Sequence, residues 1–313
     1  MKICAHNLNI GYNMWFDKYS ILNFNEYDKK ERDFLYFDKD TWNRVTEFLP
    51  AQGINTVIID LAEGIEYDCA PELKVEGSIC KAEFKEMLDR LRKLGLTPIP
   101  KLDFSSAHDV WLKYYSRMLC TTAYRELVVN LIDEVCELFD KPEYFHIGMG
   151  DEYNDYQKYY GFIATRGRIN FWEDVLLMCE ACRKNGARPM MSGEYYNREP
   201  YLFTKNLPED VVITARYFGD ILAPIDEYGR DPRSEAQKKL EALQQSVKND
   251  IIYNGVGITA FNLDRLALFG KNHPENFLGL MSSPEEACVD RVDYLLMNDA
   301  FRLGLAKKNH FGE

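Results

Sequence analysis

The stretch YFHIGMGDEY, residues 144–153, places a histidine, a run of small and flexible residues and then two adjacent carboxylates directly after an apolar, strand-like run. Neighbouring carboxylates raise each other's pKa, and a carboxylic acid that keeps its proton near neutrality can hand it to a leaving group. More acids stand at comparable places, just beyond other apolar runs. Asp60, Glu63 and Glu66 follow one; Asp103 follows a second, with Lys101 before it and His108, Asp109 and Trp111 after; Glu194 follows a third beside Tyr195 and Tyr196; Tyr217 and Asp220 follow a fourth. Cleavage of a glycosidic bond needs a proton-holding acid beside a second, ionised group. Flat rings with a polar handle, such as Trp15, Trp111, Tyr195, Tyr196 and Tyr217, suit the faces and hydroxyls of sugars.

For these residues to act together they must share one end of a fold. Short apolar runs of strand length alternate with segments of helical spacing, which is the signature of parallel strands joined by crossover helices. Strands are expected at 2–10, 54–61, 96–104, 143–150, 188–196, 210–218, 250–260 and 276–283. Helices are expected at 38–53, 81–95, 122–140, 170–187, 234–249 and 284–304, with 197–209 short and broken. Eight strand signals over about 300 residues predict a single (β/α)8 TIM barrel spanning 1–313, with 11–37 as a long loop after the first strand. A doubly wound sheet would need a glycine-rich phosphate turn after its first strand, and NIGYNMWF supplies none. In a barrel, strand ends and the loops beyond them share one mouth, so the acids above converge there.

The run HIGMGDE, residues 146–152, resembles the His-x-Gly-Gly-Asp-Glu signature of glycoside hydrolase family 20, the β-N-acetylhexosaminidases, and GLTPIPKLDFSSAHDVWL (95–112) looks like that family's third strand. The resemblance implies a barrel glycosidase with Glu152 as general acid/base. It makes Asp151 the group that orients a substrate's 2-acetamido carbonyl for attack on the anomeric carbon, and His146 a supporting residue in the mouth. The motif is one residue longer here than in the family. In a regular strand His146, Gly148, Gly150 and Glu152 share one face, so Glu152 is expected toward the barrel axis, while Asp151 needs a bulge or kink at Gly148 or Gly150. The acetamido pocket of that family is walled by tryptophans, several from late strands; here the last is Trp172, and the two final strands carry neither tryptophan nor strand-end carboxylate. Without an acetamido substrate, Glu194 becomes the second carboxylate. Substrate contacts are expected from His146, Asp60, Asp103, His108, Trp111, Glu194, Tyr195 and Tyr217.

The hydrolytic reading requires no cofactor and no metal. Two rivals remain: a sugar-binding barrel that has lost the reaction, and a metal-dependent sugar isomerase or epimerase using His108, His146, Asp151, Glu152 and Glu194. Composition bounds the partners. A net charge of −12, from 50 acidic and 38 basic residues without a basic stripe, disfavours nucleic acid. No run is long and apolar enough for a signal-peptide core or a membrane span, and eight scattered cysteines suit a reducing compartment, so a cytoplasmic protein is expected. The C-x-x-C at Cys179 and Cys182 lies in a helical pattern without a second pair and reads as two buried thiols. The segment 11–37 is expected to shape a subsite or to form the contact of a homo-oligomer.

Overall fold

The structure, a computed structural model, describes residues 1–20, 29–150, 152, 164–217, 234–256 and 260–312. Eight parallel strands close into a barrel in chain order: β1 (Ile3–Asn9), β2 (Thr56–Asp60), β3 (Thr97–Lys101), β4 (Tyr144–His146), β5 (Arg188–Ser192), β6 (Val212–Tyr217), β7 (Ile251–Val256) and β8 (Phe277–Ser283), with β8 pairing back onto β1. The helices among the described residues are α1 (Lys39–Phe48), α2 (Lys81–Lys93), α3 (Thr122–Leu138), α4 (Arg168–Lys184), α5 (Pro200–Asn206), α6 (Glu235–Ser246), α7 (Ala260–Asn272) and α8 (Asp293–Phe311). Local chemistry sets their starts: Asp38, Thr121 and Ser234 accept from the backbone N–H of Thr41, Tyr124 and Gln237 and cap α1, α3 and α6. No helix among the described residues is long and apolar enough to cross a membrane.

Two apolar layers result from strand alternation. Ile3, Ala5, Ile58, Ile99, Tyr144, Met190, Val212, Ile252 and Met281, contributed by all eight strands, fill the barrel interior. Residues of the opposite parity pack on the helices in a larger cluster. Cys179 and Cys182 belong to that outer cluster, and all eight cysteines are free.

Three expectations are corrected. The strand expected at 143–150 stops at His146. The helix expected from Pro284 starts only at Asp293, so 284–289 is a loop at the strand end. The segment between β7 and β8, left without an element by periodicity, holds α7. The prolines of β3 are tolerated because of where their missing donors point. Thr97 donates toward β2, at Asn55, and Leu102 toward β4, at His146, so Pro98 and Pro100 lack donors only on the β4 side. There the pairing thins to Lys101 opposite His146.

Candidate active site

The inward parity that makes the interior apolar continues upward into polar side chains. Asn7 and Asn9 lie above Ala5, Asp60 above Ile58, Lys101 and Asp103 above Ile99, and His146 above Tyr144. Ser192 lies above Met190, Thr214 and Arg216 above Val212, Asn254 above Ile252 and Ser283 above Met281. All of these line one cavity at the C-terminal mouth, with Glu194, Glu285, Ser105, His108, Met14 and Trp15 from the loops. The site is the period-two pattern read past the point where its residues turn polar.

A chain of charges crosses the floor. Lys101 Nζ lies 2.6 Å from Asp60 Oδ2 and 3.4 Å from Asp103 Oδ2, and His108 Nδ1 is 3.6 Å from Asp103 Oδ2. Ser105 donates twice to Asp103 Oδ1, from N–H at 3.0 Å and from Oγ at 2.6 Å. The two acids are driven apart. Burial pushes the Asp60 carboxyl up despite Lys101; at Asp103 burial is outweighed by Lys101, His108 and Ser105, which hold it well below the usual range. The same two carboxylates overcome burial at Lys101 and raise it. On the far wall, Arg216 lies 3.4 Å from both Glu194 Oε1 and Glu285 Oε1. Lys29 reaches Glu285 at 2.7 Å and lies over the Trp15 ring; against burial, Lys29 and Arg216 hold Glu285 low.

His146 is neutral and fixed. The Gly148 N–H donates to its Nδ1 at 3.0 Å, so Nε2 carries the hydrogen and donates to Thr214 Oγ1 at 2.9 Å. Burial, with Lys101 adding to it, lowers its pKa to about 3.

The motif's carboxylate goes elsewhere. Gly148 and Met149 both take left-handed conformations, with φ of 67° and 56°, and turn the chain out of the strand before alternation can carry Glu152 to the axis. Only glycine fits at 148, since a Cβ would stand 2.1 Å from Asp103 Oδ1. Glu152 is 2% exposed. Its Oε1 accepts from Arg166 Nη1 at 2.8 Å and from the Ser106 N–H, and its Oε2 from the Arg166 N–H. Arg166 continues to Asp174 at 2.8 Å and to the Tyr124 hydroxyl at 2.6 Å, so the group ties the loop to α3 and α4. Glu152 lines a separate cavity with Tyr195, Arg168, Arg198 and Glu199.

Of the residues expected at the mouth, Asp60, Asp103, His108, His146 and Glu194 meet there. Trp111 does not; it is buried against Tyr67 and Phe104, and its Nε1 donates to the Asp103 carbonyl at 3.0 Å, so it props the loop. Tyr195 stacks on Phe171 and sits with Glu152. Tyr217 has the outward parity of Ile213 and Ala215 and packs in the outer layer. Glu63 is buried and accepts from the Tyr12 and Asn13 N–H groups at 2.8 and 3.1 Å, fixing the loop that presents Met14 and Trp15. Asp151 and Asp220 lie outside the described residues. Sequence reasoning missed Asn7, Asn9, Ser192, Thr214, Arg216 and Asn254, all findable by extending the inward parity. It also missed Glu285, which was read as part of a helix start.

Of the metal-dependent rival's ligand set, His108, His146 and Glu194 line the mouth and Glu152 lines the separate cavity, while Asp151 lies outside the described residues. Both ring nitrogens of His146 are engaged within the protein, Glu152 faces Arg166, and no three His, Cys, Asp or Glu side chains among the described residues are placed to hold a metal ion.

No protein-family model matches the chain, and no curated protein matches it in sequence. Solved structures do match in fold. A family-20 catalytic module of the pneumococcal exo-β-D-N-acetylglucosaminidase StrH superposes with a TM-score of 0.62 at 14% identity, covering 98% of this chain and 83% of that one. The β-N-acetylhexosaminidase of Bacteroides fragilis gives 0.61 at 14%, covering 96% and 66%. A D-psicose 3-epimerase of Clostridium cellulolyticum gives 0.52 at 9%, covering 99% and 98%. The chain therefore shares its barrel with the family-20 hexosaminidases, the family the motif resembles.

Proposed function

We propose that the protein is a glycoside hydrolase that holds a sugar in the barrel mouth and cleaves its glycosidic bond there by acid/base catalysis, with Glu194 as the carboxyl that exchanges the proton. The observation that carries this reading is the lining itself: amide, hydroxyl, imidazole and charged groups from all eight strands or their ends, with Trp15 as a flat wall. A sugar needs that density of donors and acceptors together with one apolar face. Four lining carboxylates against Lys101 and Arg216 favour the positive charge that develops on the sugar ring in the transition state. Asp103, kept ionised, suits that stabilisation. Its contrast with Asp60 is the division between carboxyls that acid/base chemistry uses. Glu152, paired with a buried guanidinium, is the loop's anchor in this reading. The hexosaminidase names of the fold neighbours make a β-N-acetylhexosaminide the first substrate to try.

The test is a panel of chromogenic glycosides headed by an N-acetyl-β-D-glucosaminide. Glu194→Gln is expected to lower kcat by about 10² to 10⁴, the usual worth of a positioned acid/base. Glu152→Gln is expected to lower the melting temperature while the folded protein keeps most of its turnover. Full activity in Glu194→Gln would remove it from the reaction. A Glu152→Gln protein of normal stability and no activity would return the acid role to the motif. A second reading, a sugar-binding barrel without chemistry, draws on the same Glu152–Arg166 pair; it predicts binding across the panel and turnover of none.

A further inference from the structure

The two loops that wall the mouth also wall a second cavity. Ser105 and His108 line the mouth, whereas their chain neighbours Ser106 and Asp109 line a separate space of about 320 Å³. The β1 loop lines both spaces as well: Met14 and Trp15 serve the mouth, and Asp17 to Tyr19 serve the second cavity. A volume of this size lies at the small end of specific ligand sites. Asp109 is 4% exposed, and its Oδ2 is buried with no hydrogen-bond partner. An unsatisfied buried polar atom is costly, so a group lining a cavity in this state is suited to a ligand that completes it. Two exposed rings, Tyr19 and Tyr114, stand at the same cavity; the Tyr114 hydroxyl donates to Glu72 at 3.0 Å, which orients its ring.

We infer that this cavity is a second sugar subsite, taking the saccharide unit beyond the one bound in the mouth, so that the natural substrate is an oligosaccharide. The inference rests on the mouth being read as a sugar site. The occupant's hydroxyls meet Asp109 and Ser106, and its ring face meets Tyr114 or Tyr19. Charge supports an uncharged occupant. Among the described lining residues, Asp17, Glu31 and Asp33 balance Lys18, Lys113 and Arg117, and the further acid, Asp109, is pushed well up by burial and by the nearby Glu152 against Arg166. A neutral carboxyl there donates one hydrogen bond and accepts others, as a hydroxyl partner requires.

The experiment compares kcat/KM for the aryl monoglycoside turned over best with that for the trisaccharide ending in the same sugar. Asp109→Ala, Tyr114→Ala and Tyr19→Ala are each measured with a melting curve. The trisaccharide-to-monoglycoside ratio is expected to fall about tenfold in Asp109→Ala, the worth of one hydrogen bond to a buried group, and by a similar factor in at least one tyrosine variant. An unchanged ratio in all three variants would overturn the subsite. If the wild type turns over neither substrate, the hydrolytic reading fails by itself, and calorimetric titration with mono- and trisaccharides decides the subsite. Tighter trisaccharide binding that the variants abolish supports it; equal binding of both lengths, or binding of neither, overturns it.

Discussion

At the scale of the residue, similar acids have been given unlike tasks by their surroundings. Asp60 and Asp103 share one lysine and are shifted in opposite directions; Glu152 anchors a loop; Glu63 holds the turn that presents Trp15. Glu63 gives a pH dependence whose sign can be worked out. Burial outweighs the backbone donors and lifts its pKa from 4.5 to about 7. The folded state thus binds the proton more tightly than the unfolded chain, and the associated stability is fully present below about pH 4.5 and lost as pH rises through 7. The shift corresponds to roughly 3 kcal/mol at about 1.4 kcal/mol per unit. Urea denaturation between pH 4.5 and 8 should show this decline in the wild type, and Glu63→Gln should flatten it; identical slopes in the two proteins would assign the effect to other groups.

At the scale of the element, the decisive features are β3 and β4. Prolines without donors toward β4 leave the two strands joined at one residue pair, and β4 ends after three residues. The chain then turns through Gly148 and Met149, and Gly148 supplies both the N–H that fixes the His146 tautomer and a carbonyl that accepts from Ser192 at 2.9 Å. Gly148→Ala must place a methyl against Asp103 and hold a left-handed residue, so a loss of at least about 2 kcal/mol is expected. Because Asp103 and His146 are both displaced, turnover should fall more than the loss of folded protein explains. Chemical denaturation alongside kcat decides; a variant of native stability would show that the turn is not confined as the geometry requires.

At the scale of the whole molecule, the site exists only because the barrel closes. Asn7 and Asn9 on β1 share the mouth with Ser283 at the end of β8 and Glu285 beyond it across the last seam, where Gly279 lies so close to β1 that a Cβ would sit 2.0 Å from the Ile3 carbonyl. Gly279→Ala is expected to break that seam, seen as loss of cooperative thermal unfolding, whereas a sharp transition near the wild-type temperature would mean that the seam can spread. The alternation of strand and helix, and the parity along each strand, were readable from the chain, because side-chain direction in a strand follows from backbone geometry alone. That reading carried the eight-stranded barrel and placed Asp60, Asp103, His146 and Glu194 at the mouth. Whether a strand continues is not local. β4 stops because the chain turns at Gly148 and Met149, where Asp103 occupies the space beside residue 148, a contact from another part of the chain. Hence the adjacent acids of the motif, the clearest signal in the sequence, did not predict where Glu152 would point. Tertiary packing gave it Arg166, brought a loop glutamate at 285 to the mouth, and left a buried Asp109 oxygen without a partner beside a second cavity.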